Sequence, residues 1–172
     1  STEVYLSPLR STGKLVGMFG VLTVLSITRS FSLFLMIFGV PFERAVKWHR
    51  GLAKIFVLLT FVHFLCHAVP QGIPATLDMA VFGGAEAVPL FGTLSFLAEL
   101  LIIVTSLEAV RRNYFEVFYF LHYVCFLSMM AFSILHVQTF KSPSQLVFVV
   151  GMGAAIVLWL VDVLVRFTCA AP

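Results

Sequence analysis

The stretch VKWHRGLAKIFVLLTFVHFLCHAV, residues 46–69, decides how this chain folds. As a helix rising about 1.5 Å per residue it is long enough to cross a hydrocarbon layer of about 30 Å. Four more apolar stretches long enough to cross accompany it, at 12–38, 88–110, 114–138 and 145–167. The breaks between them carry turn-forming residues. Gly39 and Pro41 close the first stretch, and Pro70, Gly72, Pro74 and the Gly83-Gly84 pair fill the longest loop. Arg111-Arg112-Asn113 and Ser142-Pro143-Ser144 make the shorter connections. The expectation is an all-α, polytopic membrane bundle of five spans.

Composition agrees with this pattern. Of 172 residues, 60% are hydrophobic and 11% charged, less than half the roughly 25% charged residues of a soluble domain. Nineteen Phe and eight acidic residues exclude a disordered chain, which lacks such apolar content. Five spans leave no length for a Rossmann-type nucleotide domain, and no Gly-rich phosphate loop occurs. The net charge of +3 is scattered and forms no tract suited to nucleic acid. Cys66, Cys125 and Cys169 have no metal-ligand spacing, so a disulfide framework is not expected.

Basic residues orient the bundle. Arg29, Arg44, Lys47, Arg50 and Lys54 border the first connection, Arg111 and Arg112 the third, and Arg166 ends the fifth span. Arg10, Lys14 and Lys141 lie on the other side, where the long loop carries the acids Asp78 and Glu86. The larger group is expected to face the cytoplasm, with the C-terminus there and the N-terminus outside. A sequence that starts at Ser1 with an odd number of spans is expected to lack one preceding helix.

All five histidines fall on two stretches: His49, His63 and His67 on the second, His122 and His136 on the fourth. His49 to His63 and His122 to His136 are both separations of 14 residues. Fourteen steps of a helix return to within about 40° of the starting direction and climb about 21 Å. The two helices run in the same sense, so His49 levels with His122 and His63 with His136. Two facing imidazoles at each of two depths are what two stacked b-type haems require, since imidazole is a common axial ligand to haem iron. Histidines that merely pack are the bland alternative, yet ionisable residues in spans are rare and point to function. A zinc or copper site needs ligands converging at one point, which pairs about 21 Å apart do not provide.

Three stretches resemble the transmembrane domain shared by ferric reductases and NADPH oxidases. They are PFERAVKWHRG at 41–51, HFLCH at 63–67, and RRNYFEVFYFLH at 111–122, the last being the most specific. The resemblance implies a six-helix fold with haem ligands on the third and fifth helices, the five spans here being the second to sixth. It makes His49 and His122 ligands of an inner haem iron, and His63 and His136 ligands of an outer one. It also implies a cytosolic dehydrogenase domain that binds FAD and NADPH, reached through an exit like Asp162-x-x-x-Arg166.

The branches of the family differ in their acceptor. The reductases space both histidine pairs by 14, as here, and Ser128 stands where the oxidases place an aromatic; both features lean toward a ferric or cupric chelate. Arg10 and His67 match positions that line the oxygen site of the oxidases, so oxygen stays open as acceptor; an interfacial Arg10 and a locally bonded His67 are the bland alternatives. Haem propionates need cations, for which Arg29 and Arg50 are the candidates on the inner side. Phe56 and Met129, seven residues beyond a ligand, lie between the haem levels. Glu99, mid-span, is expected to be protonated or paired with Ser95 or Thr93.

Three functions compete at this point. One is an electron conduit from FAD and NADPH to a chelate or oxygen across a plasma or organelle membrane. Another is a stand-alone haem subunit served by a separate flavoprotein or quinone. The non-enzyme reading is a transporter or structural subunit with pH-sensing histidines.

Overall fold

The computed structural model describes residues 2–28, 33–39, 41–79, 87–137 and 143–169. Among them run the helices α1 (Thr2–Leu25), α2 (Leu33–Phe38), α3 (Phe42–Gln71), α4 (Pro89–Ser106), α5 (Glu108–Asn113), α6 (Phe115–His136) and α7 (Pro143–Cys169). A short 3-10 helix, Ile73–Leu77, follows α3. Four of these, α3, α4, α6 and most of α7, are long and apolar enough to cross a membrane. The protein is a helical membrane bundle. Its outward surface is apolar, with Leu58, Val69, Val147 and Phe167 each more than half exposed, as contact with lipid tails allows.

Local chemistry sets the ends of the helices. Pro41 enters α3 in an extended conformation, and its carbonyl accepts from the N–H groups of Arg44 and Ala45 at 2.9 and 3.0 Å. At the far end Gly72 turns with φ of +82°, a conformation costly for other residues, and donates its N–H to Ala68. Pro89 occupies the first turn of α4, where its missing N–H costs nothing.

Two bounds differ from the sequence expectation. The first stretch, expected as one span over 12–38, is a helix that begins at Thr2 and ends at Leu25, with α2 separate. The Ser26 and Thr28 hydroxyls turn back onto the carbonyls of Thr23 and Leu25, at 2.7 and 2.9 Å, and both side chains are buried at that end. Such hydroxyls offer the backbone an alternative to the helical ladder, which apolar content alone does not reveal. The stretch 88–110 likewise breaks at Leu107, whose extended backbone sets α5 off from α4. Arg112 pairs with Glu108 on α5.

The packing order matters more for function than the number of spans. α4 lies along α6, α1 lies along α3, and α7 packs on α1, whereas α3 and α6 scarcely touch. The space left between α3 and α6 is divided midway by a cluster of Ala98, Met129, Met130 and Met152, against which Phe56 packs. A second cluster, Val24, Ala155 and Trp159, joins α1 to α7.

Glycine permits close approaches between these helices. A Cβ on Gly92 of α4 would stand 2.9 Å from both Cε1 and Nδ1 of His136 on α6. Nothing lies within 4 Å of a Cβ built on Gly51. Gly92→Ala is therefore expected to lower unfolding stability in detergent by about 1–3 kcal/mol, the usual cost of overpacking. Gly51→Ala is expected to leave it unchanged or raise it, and paired thermal unfolding curves test the contrast.

Candidate functional site

The four histidines at 14-residue spacing meet in pairs across the gap between α3 and α6. The ring centres of His49 and His122 are 6.5 Å apart, and those of His63 and His136 are 6.4 Å apart. Two metal–nitrogen bonds of about 2.0 Å plus the radius of each ring sum to about 6 Å, so one metal ion fits between each pair. Among the described residues no three His, Cys, Asp or Glu side chains converge on one point. Each pair thus offers two facing imidazoles with no third His, Cys, Asp or Glu beside them among the described residues.

Every one of these imidazoles has its Nδ1 engaged. His49 Nδ1–H donates to the Thr23 carbonyl at 3.0 Å, with the Ser26 hydroxyl at 3.4 Å. His136 Nδ1–H donates to the Val88 carbonyl at 2.7 Å, while the Val88 N–H donates to the His136 carbonyl at 3.0 Å. The Thr12 hydroxyl lies 3.0 Å from His63 Nδ1, and it donates its own hydrogen to the Pro8 or Leu9 carbonyl, so it accepts from the ring. Ser106 Oγ lies 3.3 Å from His122 Nδ1. A hydrogen bond from one ring nitrogen fixes the tautomer and orients the other nitrogen, here Nε2, as a metal ligand.

Around each pair the gap widens into a cavity. The His49–His122 cavity has a volume of about 710 Å³, and the His63–His136 cavity about 440 Å³. Both lie within the roughly 300–1,000 Å³ of small-molecule and cofactor sites. Aromatic rings wall them: Phe118, Tyr123 and Trp159 in the first, and the stacked Phe64–Phe96 pair, 4.8 Å between centres, in the second. Cations border both. Arg50, Lys54 and Arg111 line the first, and Arg10 and Lys14 the second.

Most of the residues singled out from sequence meet at these cavities. Arg50 lines the cavity of His49 and His122; Arg10 and His67 line that of His63 and His136. His67 Nε2 is 3.5 Å from the Ala75 carbonyl. Phe56 borders both cavities, and Met129 the first. Arg29 lies outside the described residues. Glu99 does not pair with Ser95 or Thr93: Ser95 bonds to Ser133 Oγ at 2.8 Å and to the Met129 carbonyl, and Thr93 donates to the Thr76 carbonyl. The carboxyl faces Thr60 instead. Sequence reasoning missed Thr12, Thr23, Val88 and Ser106 as partners of the rings. It also placed Lys14 and Lys54 only as orientation markers, and Arg111 as one of those and as part of the stretch 111–122.

Asp162 and Arg166 form an ion pair of 3.0 Å near the end of α7, with Asp162 fully buried.

A family model described as ferric reductase like transmembrane component matches residues 12–137. Ferric reduction oxidase 7, chloroplastic, of Arabidopsis thaliana is 36% identical over 133 residues, covering 72% of this chain and 17% of that protein. Ferric reduction oxidase 2 of the same plant is 27% identical over 140 residues, covering 78% of this chain and 19% of its own length. The chain spans less than a fifth of the length of either relative. With a family model matched over most of its helical core, this chain belongs to the ferric reductase-like transmembrane family.

Proposed function

We propose that this chain carries electrons across a membrane through two b-type haems, one held by His49 and His122 and one by His63 and His136. The observation that carries the reading is the set of four imidazoles, paired at 6.4–6.5 Å, each with Nδ1 bonded and Nε2 left for a metal. A porphyrin bound at each pair would meet aromatic walls that suit its flat apolar faces. When bound, haem contributes a one-electron iron couple. His49 and His122 would hold one such iron and His63 and His136 the other, an arrangement that suits electron transfer rather than binding of substrate at the metal.

The chain's own residues do the rest. Arg50, Lys54 and Arg111 would neutralise the propionates at the first site, and Lys14 with Arg10 those at the second. The Met-rich cluster and Phe56 exclude water from the space between the sites. The donor on this reading is a cytosolic dehydrogenase domain carrying FAD and NADPH, fused or separate, on the side of His49, Arg111 and the end of α7.

The acceptor belongs on the opposite side, near His63 and His136, and we assign it as a ferric chelate. Relatives bearing the name ferric reduction oxidase support this, as does the 14-residue spacing of both pairs. Transfer is then outer-sphere, and the chelate needs only a cationic docking surface, which Arg10, Lys14 and His67 provide. Oxygen is the second reading, favoured by Arg10 and His67 sharing the outer cavity, where positive charge and hydrogen bonds would stabilise superoxide.

An absorption spectrum of the purified protein is expected to show six-coordinate, bis-histidine haem at two per chain. His63→Ala is expected to lose the second haem and keep the first; His49→Ala is expected to do the reverse. One haem in the wild type, or two in either variant, defeats the paired assignment. Stopped-flow reoxidation of the reduced protein tests the acceptor. Ferric chelate is expected to reoxidise it fast, and Arg10→Ala/His67→Ala to slow that step at least severalfold. Fast reoxidation by oxygen that collapses in the double variant, with negligible chelate reduction, makes the protein an oxidase.

A further inference from the structure

Glu99 has no part in the assignments above, and its position is unusual. It sits near the middle of α4, is 3% exposed, and borders both histidine cavities. Among the described residues it is the sole acid lining either cavity, and its Oε1 has no hydrogen-bond partner there. An orphaned carboxyl oxygen in a membrane interior is costly, and carboxyls kept at such depth are commonly proton carriers. A packing role would be served by an amide or an apolar side chain.

We propose that Glu99 is the proton acceptor coupled to electron passage between the two sites, an inference that rests on the di-haem reading. Adding one electron to either site adds one negative charge in a low-dielectric region, where it is poorly screened. The Glu99 carboxylate then takes one proton and becomes a neutral carboxylic acid. When the electron leaves, the carboxyl releases that proton and the charge balance is restored. One carboxyl serves both sites, so full reduction by two electrons takes up one proton through it.

The lining of the cavities gives the proton its direction. The hydroxyls of Thr60, Ser95 and Ser133 lie on the His63 side of Glu99, and Ser95 is one helical turn from it. On the other side the next turn of α4 carries Ile102 and Ile103, and the Thr23 and Ser106 hydroxyls of that cavity are engaged by the Phe19 carbonyl and by His122. The proton therefore comes from the cavity that also holds Arg10 and His67.

Other ionisable groups share these cavities and are candidates for any pH effect. They are Arg10 and Lys14 from α1, Arg50 and Lys54 from α3, and Arg111 from α5. Tyr119 and Tyr123 of α6 line the first cavity. The four paired imidazoles are committed as ligands. His67, the remaining imidazole, lines the second cavity and is the control.

The test is a spectroelectrochemical titration of the haem-loaded protein in lipid nanodiscs across neutral pH, for wild type, Glu99→Gln and His67→Ala. In the wild type at least one haem midpoint is expected to fall as pH rises, by at most about 59 mV per tenfold change in proton activity. Glu99→Gln, permanently neutral, is expected to flatten this slope and hold the midpoint at its acid-side value; His67→Ala is expected to keep the slope. Infrared difference spectra of the wild type give a second readout that needs no variant. A carboxylic acid C=O band, shifted in heavy water, is expected to appear on reduction. A flat wild-type midpoint, a slope that persists in Glu99→Gln or vanishes in His67→Ala, or no carboxyl band overturns the inference. Absence of haem from the wild type would instead defeat the reading beneath it.

Discussion

Two imidazoles facing each other across a gap are an unstable arrangement unless something holds each ring, and the bundle is organised around doing so. The helices that carry the rings, α3 and α6, are not each other's packing partners. Each is fixed by a different neighbour, α1 for α3 and α4 for α6, and those same neighbours supply the bonds to Nδ1. The scaffold that separates the ligand helices is thus the scaffold that aims them. Val88 shows the economy of the design: one residue at the start of α4 binds both the ring and the backbone carbonyl of His136, joining helix register to ring orientation.

Much of this was legible in the sequence because it depends on periodicity within one helix. Equal 14-residue spacings on two parallel apolar stretches allow two pairs at two depths once the two faces are turned toward each other. The long apolar runs of α3, α6 and α7 fixed the membrane class for the same reason. What escaped was everything that depends on tertiary neighbours. Thr12 and Ser106 look like ordinary helix residues until α1 is laid against α3 and α4 against α6. Lys54 reads as a positive-inside marker on its own helix, yet it borders the first cavity. Gly92 carried no signal at all, since its constraint is a ring that belongs to another helix.

The misread end of the first stretch has a similar origin. Apolar content continues past Leu25, but Ser26 and Thr28 spend their hydroxyls on the preceding turn and stay buried. That ending also has a use: Ser26 reaches His49 at 3.4 Å, and Thr23 supplies the carbonyl that holds the same ring. The helix stops where its last turn becomes the support for a histidine, so termination and site construction are one event.

The two cavities share a plan but differ in what encloses them. The one around His63 and His136 is the smaller, its rings are backed closely by Gly13 and Gly92, and hydroxyls line its wall. The one around His49 and His122 is larger and has more aromatic and aliphatic wall. On the proposed reading this difference matches the task at each end. The first site exchanges electrons with a protein domain and needs a dry, rigid surround that keeps reorganisation small. The second faces a small charged acceptor and the supply of protons, so it needs polar groups close to the reacting edge. Glu99 stands at the boundary between these environments, where a single ionisable group is close enough to feel the charge of either.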